Sequence, residues 1–161
     1  IYAKFSNERD RKFDIRTEID HTGNGSRVVK KVSETKEAES HVNGLEKICG
    51  ELGRLYEAAG IRVNRCKAQP EVAEFEYLTG MTLEEKLDTL LEEGKNDQAE
   101  DLLFSYINKV KQIHEKEDFR KTEDFVKVFG DAALPENLKA APFSNIDFVP
   151  ANVILLSLIH I

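Results

Sequence analysis

Apolar and polar positions change period several times along this chain, and each change marks an element. Phe13-Asp14-Ile15-Arg16-Thr17-Glu18-Ile19-Asp20 alternates, with Phe13, Ile15, Thr17 and Ile19 on one face, which predicts a half-buried antiparallel strand. His21-Thr22-Gly23-Asn24-Gly25-Ser26 offers a hairpin turn with glycines for positive φ, and Arg27 to Val32 returns as a strand. With the short segment Ile1 to Phe5 ahead of the charge-dense residues 7–12, positions 1–32 predict a meander of three strands. The period then lengthens. Val42, Leu45, Ile48, Cys49, Leu52, Leu55 and Tyr56 recur at helical spacing, predicting a helix from Glu34 to Ala59. Ser33 or Thr35 caps it, Gly60 stops it, and Gly44, Gly50 and Gly53 weaken it enough to allow a break. Alternation resumes at Ile61 to Cys66 and, after a turn at Ala68-Gln69-Pro70, at Glu71 to Leu78, a fourth and a fifth strand.

The second half reads as helical. Thr82 and Glu85 form a capping box before a helix over Leu83 to Glu93, which Gly94 ends. Asp97 to Glu115 is the longest clean helical pattern, carried by Ala99, Leu102, Leu103, Tyr106, Ile107, Val110 and Ile113. His114 suits the helix C-terminus electrostatically. Residues 115–143 carry a solvated charge run, a short helix with Phe125, Val128 and Phe129 behind Thr122, and segments bounded by Pro135 and Pro142. So long a connection is expected to hold substrate-binding or packing elements. The fold class predicted is α+β: an N-terminal antiparallel five-stranded sheet with one helix over 1–78, then a mainly helical lobe over 79–161, incomplete at its C-terminus.

Composition narrows the partners. The 161 residues are 40% hydrophobic and 33% charged, enough for one core and too few for two comfortable ones. Net charge is -7, so nucleic acid and anionic membrane find no electrostatic footprint. No apolar run is long enough to span a bilayer. Cys49 and Cys66 stand in unlike contexts with no CxxC or zinc-type spacing, which fits a reducing, cytoplasmic setting. The chain opens on Ile1 and closes on the apolar run Val153 to Ile161, so both ends read as cut and residues 156–161 as of doubtful origin. That run is expected to lack a pairing strand and to invite aggregation.

Chemistry concentrates in Ser144-Asn145-Ile146-Asp147-Phe148-Val149-Pro150-Ala151-Asn152-Val153-Ile154-Leu155. In phosphoryl transfer an Asp orients the proton of the attacking hydroxyl, and an Asn a short loop away holds a metal ion on the phosphates. The same residues also read as a turn entering a buried strand. Alternation puts Lys30 on the face of Val28 and Val32, where it either snorkels at a sheet edge or is held inward by an anion. Lys31 faces the other way and is expected to be solvated.

Asp147, Phe148, Pro150, Asn152 and Val153-Ile154-Leu155 resemble the catalytic loop of the aminoglycoside phosphotransferase and choline kinase group, within the protein-kinase-like fold. That loop reads His-Gly-Asp-Leu-x-Pro-x-Asn; here Asn145 stands at the His and Ile146 at the Gly. Phe75-Glu76-Tyr77-Leu78-Thr79-Gly80-Met81-Thr82-Leu83 resembles the hinge of the same families, and Arg27-Val28-Val29-Lys30 sits where their third strand carries a phosphate-binding Lys. The resemblance implies ATP and Mg2+ as cofactors. It makes Asp147 the catalytic base, Asn152 a magnesium ligand, and Lys30 a phosphate ligand paired with Glu46, with Glu39 and Glu51 as rivals for that pairing. Backbone groups of Glu76 and Leu78 would meet the adenine edge. Three departures stand against it: Ser6 to Asp10 is no Gly-rich loop, Asn145 replaces the bracing His, and the strand bearing a further metal-binding Asp is missing. The chain as given is therefore expected to be inactive.

A narrower likeness is also present. Tyr2-Ala3-Lys4-Phe5-Ser6-Asn7, Val128-Phe129-Gly130 and Ser144 to Asp147 resemble kinase-like domains joined to bacterial cell-surface polysaccharide glycosyltransferases or methyltransferases. Two functions follow as expectations. One is an ATP- and Mg2+-dependent phosphotransferase acting on a hydroxyl of a small molecule, sugar or lipid. The other is a non-catalytic accessory module that binds a nucleotide or an adjoining transferase domain. A mixed α/β domain with neither role is the third.

Overall fold

The computed structural model describes residues 2–5, 10–21, 23, 25–141, 143, 145 and 147–156, with the backbone alone for residues 2–5. Ile1, Ser6 to Arg9, Thr22, Asn24, Pro142, Ser144, Ile146 and the tail from Ser157 to Ile161 lie outside the described residues. The chain is α+β and divides into two compact units: Ile1–Glu57 with Ile61–Gly80, and Ala58–Gly60 with Met81–Ile161.

In the first unit, β1 (Tyr2–Phe5), β2 (Ile15–His21), β3 (Arg27–Ser33), β4 (Cys66–Gln69) and β5 (Val72–Glu76) pair antiparallel in the order β1-β2-β3-β5-β4. Directly opposed residues share a face of an antiparallel sheet. The register sets Ile15 against Ser33, Thr17 against Lys31 and Ile19 against Val29. It then sets Lys31 against Ala73, Val29 against Phe75, and Cys66 against Phe75. These residues therefore look one way, and α1 (Lys36–Glu57) packs on that face. Ile15, Ala38, Val42, Leu45, Cys66 and Ala73 form its core, with Cys49 and Phe75 packed against them. The other face carries Arg16, Glu18, Asp20, Lys30 and Glu74.

Three local expectations change. The fourth strand runs over Cys66–Gln69 rather than Ile61–Cys66. Asn64 Nδ2 instead donates to the Glu76 carbonyl at 2.8 Å, so residues 61–65 are held by a side chain and not by a ladder. The turn moves to Pro70-Glu71; Glu71 takes a left-handed φ of 68°, and its carbonyl accepts from Ser33 N at 2.9 Å. The helix α1 runs unbroken through Gly44, Gly50 and Gly53, where an added Cβ would meet open space. Its buried stripe is Ala38, Val42, Leu45, Leu52 and Tyr56, and packing on that stripe outweighs the roughly 1 kcal/mol each glycine costs. Thr35 is its cap: Oγ1 accepts from Ala38 N at 3.3 Å.

The second unit holds β6 (Met81–Thr82), α2 (Leu83–Glu92), α3 (Asn96–His114), β7 (Glu117–Asp118), α4 (Glu123–Phe129), β8 (Lys139–Ala140) and β9 (Ile154–Leu155). Thr82 and Glu85 make the capping box, with bonds of 3.1 and 2.8 Å. Thr122 caps α4 through Phe125 N at 3.1 Å. The connection after α3 is organised: β7 pairs with β8, and the rings of Phe119, Phe125 and Phe129 stack in series at 5.2 and 4.9 Å. Among the described residues no helix is long and apolar enough to cross a membrane.

Candidate functional site

Each unit carries its own share of the expected residues. In the second, the loop from Asn145 to Leu155 is closed by its own backbone together with the side chains of Asn145 and Asn152. Asp147 N donates to Asn145 Oδ1 at 3.1 Å, a local side-chain turn of the kind Asn forms readily. The Asp147 carbonyl accepts twice, from Val149 N at 2.9 Å and from Asn152 Nδ2 at 2.8 Å. Pro150 then opens a single 3-10 turn, Pro150–Asn152, where its missing N–H costs nothing. From α3, Tyr106 Oη donates to the Phe148 carbonyl at 2.7 Å, and the two rings lie 5.4 Å apart. One such bond contributes about 1 kcal/mol.

The first residues of the apolar run after the loop, Val153 to Leu155, do have a partner, contrary to expectation; Ser157 to Ile161 lie outside the described residues. Strand β9 pairs with β6, Met81 against Leu155 and Thr82 against Ile154, and Leu83 N donates to the Val153 carbonyl at 2.8 Å. The start of α2 and the exit of the loop are thereby one piece. Asp147 itself is exposed, and every loop bond it makes uses its backbone, so its carboxylate is left to act outward. Asn152 spends its amide N–H on the loop; its Oδ1 is the atom that can meet a cation. A carboxylate and an amide oxygen are hard donors that suit magnesium. Among the described residues no cluster of three or more His, Cys, Asp or Glu is placed to hold a metal.

In the first unit the Lys30–Glu46 ion pair does not form. Lys30 Nζ bonds Asp20 Oδ2 at 2.9 Å on the sheet face away from α1. That bond, with the attraction behind it, holds the Asp20 carboxyl below its ordinary range and Lys30 above its own. Glu46 lies on α1, and its Oε2 accepts from Ala68 N on β4 at 3.0 Å. Glu39 and Glu51 are on the same helix, Glu51 facing Lys47 at 3.9 Å. The physical reason is the pleat: consecutive lysines on β3 point to opposite faces, and the one on α1's side is Lys31. Its Nζ sits 5.7 Å from the Phe75 ring centroid, so it is half-buried and not the solvated residue expected. The signal for it was available. Pairing Ile19 with Val29 across the hairpin puts Lys31 in line with Ile15 and Ile19.

At the strand end, Glu76 engages Arg62 through its carboxylate at 3.2 Å and Asn64 through its carbonyl. The Arg27 guanidinium lies 4.0 Å over the Tyr77 ring. Leu78 follows, half-buried, outside any strand. A cleft of about 440 Å3 in this unit lies elsewhere, against Asp10, Phe13, Glu37 and His41, and includes none of the expected residues.

Sequence spacing also missed that Cys49 and Cys66 meet. Cys49 packs from α1 against the core cluster that holds Cys66 of β4. Burial pushes both upward, Cys66 to about 12.

No family model, curated protein or solved structure matches this chain.

Proposed function

We propose that this chain is part of a protein-kinase-like phosphotransferase that uses ATP and Mg2+ to phosphorylate a hydroxyl of a small molecule, sugar or lipid. The observation that carries the reading is the Asn145–Leu155 loop, whose turns are closed by backbone groups and the Asn145 and Asn152 side chains while Asp147 is left exposed. Asp147 would orient the acceptor hydroxyl and take its proton. Asn152 Oδ1 would hold the metal together with phosphate oxygens and water. Magnesium-ATP would supply the phosphoryl group and spread its developing charge. The phosphate-binding lysine of the first unit would be Lys31 in place of Lys30, because the pairing with a helix carboxylate requires the face that α1 covers. Glu46, Glu39 and Glu51 remain its candidate partners, and Glu76 and Leu78 the backbone groups for the adenine edge. A cytoplasmic place beside a transferase of cell-surface polysaccharide synthesis rests on the quoted likenesses of sequence.

A second reading, a non-catalytic accessory module, is favoured by one observation: Glu46 is occupied by the β4 backbone and not by a lysine. A thermal-shift titration with Mg-ATP separates the phosphotransferase from an accessory module that binds no nucleotide. A ligand that binds only the folded state stabilises it by about 2.7 kcal/mol at a hundredfold excess over Kd. For a chain of this size that is a rise of roughly 5 to 11 °C. The phosphotransferase reading expects this rise in the wild type and a smaller one in Lys31→Ala; no rise at millimolar Mg-ATP in either would leave the accessory reading.

A further inference from the structure

The turn of α1 that carries Glu46 and Cys49 faces the short strand Cys66–Gln69, and two ties join them. One is the Glu46 carboxylate on the Ala68 N–H at 3.0 Å. The other is the meeting of two free thiols, Cys66 in the buried core and Cys49 half-buried against it. Phe75 packs beside them, and the charges of Lys31 on β3 and Glu46 on α1 both act on the Cys66 thiol. Nothing in the phosphotransferase reading uses either sulfur.

From this juxtaposition we infer that Cys49 and Cys66 are a modification site, a thiol pair that a hydroperoxide converts to a disulfide stapling α1 to β4. Cys49 is the point of entry because it is the more exposed of the two. Its thiolate attacks the O–O bond, takes one oxygen as sulfenic acid and releases the other as water or alcohol. Cys66 Sγ then attacks the Cys49 sulfur, forms the S–S bond and expels the sulfenic oxygen as water. Two thiols give up two electrons and two protons, and one peroxide is fully reduced. Burial raises both thiols, Cys66 to about 12, so the reaction runs through the minor thiolate of Cys49 and quickens as pH rises.

Packing of Cys49 on the cluster that holds Cys66 already brings the two side chains to one place, the starting point a disulfide needs. The link would close a loop through the Gly60 turn, restricting the unfolded chain more than the folded one.

The test is to treat the whole chain with hydrogen peroxide, alkylate, and digest without reduction. Cleavage at Arg54, Arg62 and Arg65 separates the two cysteines. The expected result is one Cys49–Cys66 linked peptide pair, an intact mass two hydrogens lighter, and a melting temperature raised by several degrees that dithiothreitol restores. Cys66→Ala should instead let a cyclic 1,3-diketone trap Cys49 as sulfenic acid, which the wild type suppresses. Should that variant fail to fold, the wild-type peptide map decides alone. Two alkylated thiols after oxidation, Cys49 over-oxidised to sulfinic acid beside a free Cys66, or dimers linked between chains would each overturn the inference.

Discussion

Adjacent lysines on one strand meet different fates here. Lys30 and Asp20 keep each other charged on an open face, with side chains 26% and 35% exposed. Such pairs contribute little at neutral pH, yet they leave a mark on acid stability. The Asp20 carboxyl is held below its ordinary 3.8, so its contribution is present above that pH and is lost as pH falls through the lowered value. Asp20→Asn is expected to lose part of the wild type's decline in stability below about pH 3.8 while its melting temperature at pH 7 falls only slightly; an unchanged acid slope would contradict the pairing. That Lys30 shares a face with Val28 and Val32 was legible in the alternation. Which face receives the helix was not, because β3 carries valines on both sides. Only the hairpin register with Ile15 and Ile19 resolves it, and register is a property of two strands.

Elements with local signals were the most legible. Thr82 with Glu85 and Thr122 before Phe125 announce α2 and α4, and the structure starts both helices there. The fourth strand was misplaced because Ile61 and Val63 alternate without pairing; their backbone is organised by Asn64 reaching Glu76, a bond between side chain and distant carbonyl that no short window contains. Strand β4 ends the sheet, and Glu46 covers its Ala68 N–H from the helix. Glu46→Ala should lower unfolding stability by about 1 kcal/mol, with Glu46→Gln closer to wild type because it keeps an acceptor. Chemical denaturation of the three proteins measures this. Equal stability in all three would show that the tie contributes nothing, and would make Glu46 available to Lys31 instead.

For the whole molecule, the decisive connections are long in sequence and short in space. Residues 81–83 and 153–155 join in one small ladder, which gives the first residues of an apolar run that read as unpaired a partner at the exit of the candidate loop. The meeting of Cys49 and Cys66 is of the same kind. The loop's residues were legible because Asp147, Pro150 and Asn152 are close neighbours in the chain. The lysine on the helix-covered face was not, since its identity depends on how α1 settles on the sheet. The most direct test of the phosphotransferase account is calorimetric titration of the chain with ATP, with and without Mg2+, in the wild type, Asn152→Ala and Lys31→Ala. Asp147→Ala serves as a control, since it spares every loop hydrogen bond and should melt as the wild type does. The account predicts binding that strengthens with Mg2+, a loss of that Mg2+ dependence in Asn152→Ala, and weakening of about tenfold or more in Lys31→Ala. ATP binding that ignores both Mg2+ and these substitutions, or no binding at all, would contradict it.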